Sequence, residues 1–168
     1  MASEESGGDV CIRDATLADV PVLLAMFAEL AEYEHLEHIM RADQQLLSEA
    51  LFGERPAAEA LVAERGQQAA GYAVYYPTFS SFLAIQGIWL EDLFVRPAHR
   101  QAGIGRALLA AVAARLRERG GERLEWSALD WNELALDFYR GLGAETMSDW
   151  ITHRLTGEPL QRLASEGA

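Results

Sequence analysis

The chain has 168 residues, with 26 Asp and Glu against 14 Lys and Arg and a formal net charge of −12. That acidity argues against nucleic acid, because duplex affinity comes largely from Arg and Lys neutralising phosphates. One cysteine, Cys11, cannot close an internal disulfide, and the longest apolar stretch, Ala107 to Ala114, is too short to span a membrane. The start, residues 1–9 (MASEESGGD), is acidic and apolar-poor, so it is no signal peptide and is expected to be poorly ordered. A single domain over 10–165 in a soluble, cytoplasmic protein is the expectation.

In chain order, Val10–Asp14 alternates as a short strand. Thr16-Leu-Ala-Asp19 reads as a capping box with Asp in place of Glu. It opens a helix whose apolar positions Val20, Leu23, Leu24, Phe27, Leu30 and Ala31 keep helical spacing. A second helix is expected from Asp43 as N-cap to Phe52, stopped by Gly53. Ala60–Glu64 and Gly71–Tyr76 read as strands joined by a turn at Arg65-Gly66-Gln67, and Pro77 to Gly87 as a looser segment. Ile88–Val95 (IWLEDLFV) is a strong strand ended by Arg96-Pro97. Gly103 to Arg119 is the clearest helix, with Ile104, Leu108, Val112 and Leu116 on one stripe. A strand over Leu124–Leu129, a helix over Asn132–Arg140 and a last strand near Trp150–Leu155 follow. The pattern predicts a mixed α/β (α+β) sheet with flanking helices.

Charge is unevenly spread. From Glu29 to Glu64 there are nine acids and two cations, a net −7, whereas Arg96 to Arg123 holds seven arginines and two acids, a net +5. The basic segment opens with Arg96-Pro-Ala-His-Arg-Gln-Ala-Gly-Ile-Gly105, between a strand and a helix. Glycines at 103 and 105 let the backbone approach a ligand, and the free N–H groups of the following helix favour an anion such as phosphate. Arg100 and Arg106 can add charge-assisted bonds.

Arg100-x-x-Gly103-x-Gly105 resembles the loop with which the GNAT superfamily of N-acetyltransferases holds the coenzyme A pyrophosphate. Asn132 with Phe138-Tyr139-x-x-x-Gly143-Ala144 is similar to that superfamily's second signature. Leu90-Glu-Asp-Leu-Phe-Val95, Asp130-Trp-Asn132 and Arg154-Leu-Thr-Gly157 resemble the branch of diamine (spermidine/spermine) and thialysine acetyltransferases. The resemblance implies a mostly antiparallel sheet with a splayed parallel strand pair that receives acetyl-CoA. It implies that Leu93, Phe94 and Val95 bind the pantetheine arm through their backbone. Arg100, Gln101, Ala102, Gly103, Ile104, Gly105 and Arg106 would hold the pyrophosphate, and Asn132 and Tyr139 would line the cofactor from the other wall.

The same resemblance assigns catalysis to Glu91 as base and Tyr139 as acid for the leaving thiol, and substrate contact to Tyr33, Glu34, Glu91 and Asp92. A base is useful because an alkyl amine of pKa ~10.4 is deprotonated at neutral pH at a cost of roughly 4 kcal/mol. Strict strand alternation would turn Glu91 and Asp92 to opposite faces of the sheet. The implied activity is acetyl transfer from acetyl-CoA to a primary amine of a small cation: a di- or polyamine, thialysine or a lysine-like amino acid. Alternatives are a protein lysine or N-terminal acetyltransferase and, from another class, a catalytically weak acyl-CoA-binding sensor. A homodimer is implied, and no metal ligand set or membrane partner is expected. The loop before the Glu91-Asp92 strand offers Ser80 or Ser81 where the diamine enzymes carry an acid.

Overall fold

The computed structural model describes residues 9–167, so the expectation for residues 1–9 falls, apart from Asp9, outside the described residues. It divides into two compact units, one ending at Ser127 and one beginning at Ala128.

The first unit is built on five strands in the order β1-β2-β3-β4-β5: β1 Val10–Asp14, β2 Glu59–Arg65, β3 Gln68–Ser80, β4 Ile85–Val95 and β5 Arg123–Trp126. Neighbours are antiparallel except for β4 and β5, which run parallel. On one face lie α1 (Val20–Glu34) and α2 (Gln44–Phe52), and α3 (Ile104–Glu118) packs against the strands as well. The expected capping box forms: the Asp19 carboxylate accepts the Thr16 N–H at 2.7 Å and its hydroxyl at 2.8 Å. The Arg13 guanidinium also grips Asp19, and holds its carboxyl well below the usual carboxylate range. Val20, Leu23 and Met26 of α1 are buried against Leu47 and Leu51 of α2 and against Val62, Tyr72, Val74 and Phe94 of the sheet. Burying such aliphatic and aromatic side chains contributes about 1.5–3 kcal/mol each. In α3 the stripe Ile104, Leu108, Val112 and Leu116 is buried as its spacing predicts.

Two segments differ from expectation. The stretch after Tyr76 is not a loose loop: Pro77 pairs with Ile88, Thr78 with Gly87, Phe79 with Gln86 and Ser80 with Ile85, leaving only 81–84 as a turn. β2 pairs with β3 only as far as Tyr75, so beyond it β3 has one neighbour and a proline lacking an N–H is tolerated there. The strand expected near Trp150–Leu155 does not form. Those residues carry no regular structure, and Trp150, Ile151 and Leu155 are exposed. A segment becomes a strand only where a neighbouring strand supplies a ladder, and none does here among the described residues. The tail after them instead folds as α5 (Gly157–Ser165), which with α4 (Glu133–Gly141) makes up the helices of the second unit. Among the described residues no helix is long and apolar enough to cross a membrane.

Candidate active site

β4 organises the site, and its pairing explains why. It runs beside β5 only from Gly87 to Leu90, while β3 accompanies it to Val95. The parallel pair is therefore open from Glu91 onward. Arg96 donates its N–H to Ala70 O at 2.9 Å. Antiparallel ladders alternate, so Phe94 also exchanges its backbone bonds with Tyr72, and the N–H and C=O of Leu93 and Val95 point away from β3. Of the three residues expected to offer backbone groups, Leu93 and Val95 present them to the open edge and Phe94 does not. The outward carbonyl of Val95 accepts a 3.0 Å bond from Arg100 Nε.

Beyond Val95 the chain makes a short 3-10 turn over Pro97–His99 and enters α3. Two consecutive bends rely on the left-handed region, Gln101 at φ 63 and Gly103 at φ 75. At Gln101 a side-chain-bearing residue accepts that conformation, a local strain commonly found at ligand-binding turns. Gly103 is the N-cap of α3 and no side chain caps it. The first N–H groups of Ile104, Gly105 and Arg106 are left to an external acceptor, with the helix dipole favouring an anion. An extended edge leading to an uncapped helix start fits a ligand with an amide arm and a diphosphate, as coenzyme A has.

The basic island is smaller in space than in sequence. Arg96 is paired with Glu29, Arg115 with Asp14, Arg119 with Glu59 and Arg123 with Glu125. Arg100 and Arg106, on the loop and the first turn of α3, have no acidic partner among the described residues. The Arg100 guanidinium lies 5.0 Å from the centroid of the Tyr33 ring, over a hollow of about 260 Å³ that Glu32 and Phe94 also line. Tyr33, expected to meet the acceptor, thus packs against the anion loop.

Glu34, its sequence neighbour, faces elsewhere. It lines a cleft of about 250 Å³ with Phe27 and Leu30 of α1, Met40 and Arg41 of the α1–α2 connection, and Tyr72 and Asp92 of the sheet. Glu91 joins this side of the sheet through a β-bulge. Val74 pairs with Asp92 and Tyr75 with Leu90, so Glu91 has no partner in register. Its carboxylate accepts the Trp89 indole N–H at 3.0 Å and the Tyr76 hydroxyl at 3.3 Å. Tyr76 shares its face with Tyr72 and Val74, so the bulge overturns strict alternation and brings both carboxylates to one side. Burial, with the like charges of Glu91 and Glu34, pushes the Asp92 carboxyl up from 3.8 to about 6. Burial also raises Glu34. The Tyr72 hydroxyl is buried without a hydrogen-bond partner, its pKa held well above 10 by burial and then by the charges of Asp92, Glu34 and Glu29. Tyr72 and Arg41 were not singled out from sequence; one is an ordinary core aromatic on a strand, the other an isolated loop cation.

Asn132 and Tyr139 lie in the second unit. Asn132 Oδ1 accepts the Ala135 N–H at 3.3 Å and so caps α4. Tyr139 sits in the last turn of that helix, 5.2 Å from Phe138 between ring centroids. Its carbonyl accepts the Ala144 N–H and that of Arg140 accepts the Gly143 N–H, with Gly143 at φ 83. The spacing from Tyr139 to Gly143-Ala144 is thus a helix-ending motif as well as a signature.

The sequence profile of the Acetyltransferase (GNAT) family matches residues 23–144. Thialysine N-epsilon-acetyltransferase from Bos taurus is 34% identical, over 94% of this chain and 98% of its own length. L-ornithine N5-acetyltransferase NATA1 from Arabidopsis thaliana is 30% identical, over 90% of this chain and 86% of its own. Among solved structures, an integron cassette protein from the mobile metagenome of V. cholerae superposes with a TM-score of 0.78 at 27% identity, covering 94% of this chain and 99% of that one. With this fold, this β4 edge and these relatives, the chain belongs to the GNAT family and is an N-acetyltransferase.

Proposed function

We propose that this enzyme transfers the acetyl group of acetyl-CoA directly to a primary amine of a small cationic molecule: thialysine, a lysine-like amino acid or a di- or polyamine. The observation that carries the reading is the division of labour along β4, an open edge running to an uncapped helix start and a carboxylate-lined cleft on its face. Leu93 and Val95 would receive the pantetheine arm as an added strand would be received. The Arg100–Arg106 loop would take the pyrophosphate. Bound acetyl-CoA supplies an acyl thioester, and the Leu93 N–H is the proposed donor to its carbonyl oxygen.

Glu34 and Asp92 are the proposed seat of the acceptor ammonium. An amine must lose its proton before it can attack, and Glu91, the motif's base, stands beside Asp92 to take it directly or through water. A second reading gives that proton to Asp92, because a carboxyl held near pH 6 accepts a proton more readily than an ordinary one. Tyr139 is proposed as donor to the leaving thiol, and Asn132 as a cofactor contact, on the motif alone. The resemblance also brings a homodimer and a cytoplasmic place of action into this reading.

The test is coenzyme A thiol release from acetyl-CoA across a panel of small amines, lysine analogues and peptides. Turnover on small amines is expected. Turnover on peptides alone favours a protein acetyltransferase, and binding without any turnover favours the sensor.

A further inference from the structure

The acceptor cleft is not uniformly acidic. Glu34 and Asp92 sit on α1 and β4, while the α1–α2 connection contributes Arg41, an exposed cation on the cleft's lining. No ion pair joins Arg41 to any acid among the described residues, whereas five of the eleven arginines of the first unit, Arg13, Arg96, Arg115, Arg119 and Arg123, are so paired. The cleft therefore keeps its opposite charges apart. A diamine would set a cation against Arg41. A molecule with an ammonium at one end and a carboxylate at the other is complementary to both. Three further features make this a built site rather than a solvated acidic surface. The Tyr72 hydroxyl is buried and unpartnered on the lining, a polar atom awaiting an acceptor or donor. Apolar side chains such as Phe27 and Leu30 line the space, suiting a methylene chain. Burial disfavours the charged forms of Glu34 and Asp92, and a bound ammonium would relieve that cost.

We propose that Arg41 is a specificity-determining residue that holds the carboxylate of the acceptor, so that the cleft selects an α,ω-diamino acid over the diamine of the same length. The proposal rests on the reading that this cleft receives the acceptor amine. Arg41 touches no reacting atom in this scheme; it fixes one end of the substrate while the Glu34–Asp92 end receives the amine that is acetylated. Its guanidinium suits bidentate recognition of a carboxylate. A repulsive term against the diamine adds to the discrimination.

The experiment compares kcat/KM for two matched pairs, lysine with cadaverine and ornithine with putrescine, whose members differ only in the α-carboxylate. Wild type is expected to prefer the amino acid in each pair. Arg41→Gln should cut that preference roughly five- to tenfold, through KM for the amino acid with kcat nearly unchanged. Arg41→Lys should keep part of it, and Arg41→Glu should reverse it toward the diamine. A general structural lesion would lower both members of a pair together and would not respond to the sign of the charge. Wild-type turnover with equal changes on both members in Arg41→Gln and Arg41→Glu overturns the assignment to Arg41 and leaves the small-amine reading standing. Failure of wild type to acetylate either pair, with turnover on peptides instead, overturns both.

Discussion

The anion loop after β4 and the cleft on the face of β4 are neighbours made from different materials. The loop is almost entirely backbone: a left-handed Gln101, a left-handed Gly103 and the uncapped start of α3, all within a few consecutive residues. The cleft is side chains drawn from α1, the α1–α2 connection, β3 and β4. Tyr33 and Glu34 show how sharply the two diverge, because adjacent residues serve different regions, one stacked on Arg100 and the other across from Asp92. A backbone site is robust to most substitutions and sensitive to those that change φ. A side-chain site loses function with single atoms.

Variants of the two carboxylates on the cleft side of β4 should have the largest effect. Glu91→Gln or Asp92→Asn is expected to lower kcat/KM by about 10²–10⁴, the range for losing a positioned acid–base group. The wild-type profile should fall as pH drops through about 6, where Asp92 takes up a proton. Glu91 and Glu34 are the acids that raise Asp92, so Glu91→Gln should move that limb to lower pH. An unmoved limb would show that the like charge is not felt. Next in size, Gly103→Val asks the loop to hold a β-branched residue at φ 75, although its Cβ would meet nothing within 4 Å. The cost, about 1–2 kcal/mol of conformational strain, should appear as a roughly tenfold weaker acetyl-CoA affinity by calorimetry.

The cost of burying Asp92 should also register in stability. The folded protein holds the Asp92 proton more tightly than the unfolded chain does, since its carboxyl is raised from 3.8 to about 6. The resulting cost is absent below about pH 4 and complete above about pH 6–7. Asp92→Asn should therefore raise the free energy of unfolding by about 3 kcal/mol at pH 8, with the gain vanishing in acid. Equal gains at pH 8 and pH 4 in denaturant titrations would contradict it. Smallest should be Glu32→Gln and Glu37→Gln. Both are exposed and neither lines the cleft, so the amine KM should change by less than about twofold, against a larger rise for Glu34→Gln.

The loop was legible in sequence because its chemistry is local: Arg100-x-x-Gly103-x-Gly105 between a strand and a helix specifies its own turn. The same holds for the capping box at Thr16 and the helix stripe from Ile104. The cleft was legible only in part. Glu34 and Asp92 are 58 positions apart in the numbering, and nothing near Tyr72 or Arg41 marks either as a lining residue. The bulge that turns Glu91 toward Asp92 depends on how β3 registers against β4, a pairing that strand periodicity does not encode. Charge runs were the least faithful guide. Four of the seven arginines in the basic segment form ion pairs with acids of the fold and Arg117 bonds the Gly121 carbonyl, leaving Arg100 and Arg106, with backbone, for the proposed anion site. The strand expected near Trp150 failed because no neighbouring strand pairs with it among the described residues.

In the proposed function one strand, β4, carries two separable binding functions, acetyl-CoA along its edge and the amine on its face. Initial rates measured over a grid of both substrates test it most directly, on wild type, Gly103→Val and Glu34→Gln. Gly103→Val should raise the KM for acetyl-CoA and leave the amine KM unchanged, while Glu34→Gln should do the reverse. If Glu34→Gln weakens acetyl-CoA as much as the amine, or Gly103→Val weakens the amine alone, the division along β4 is wrong.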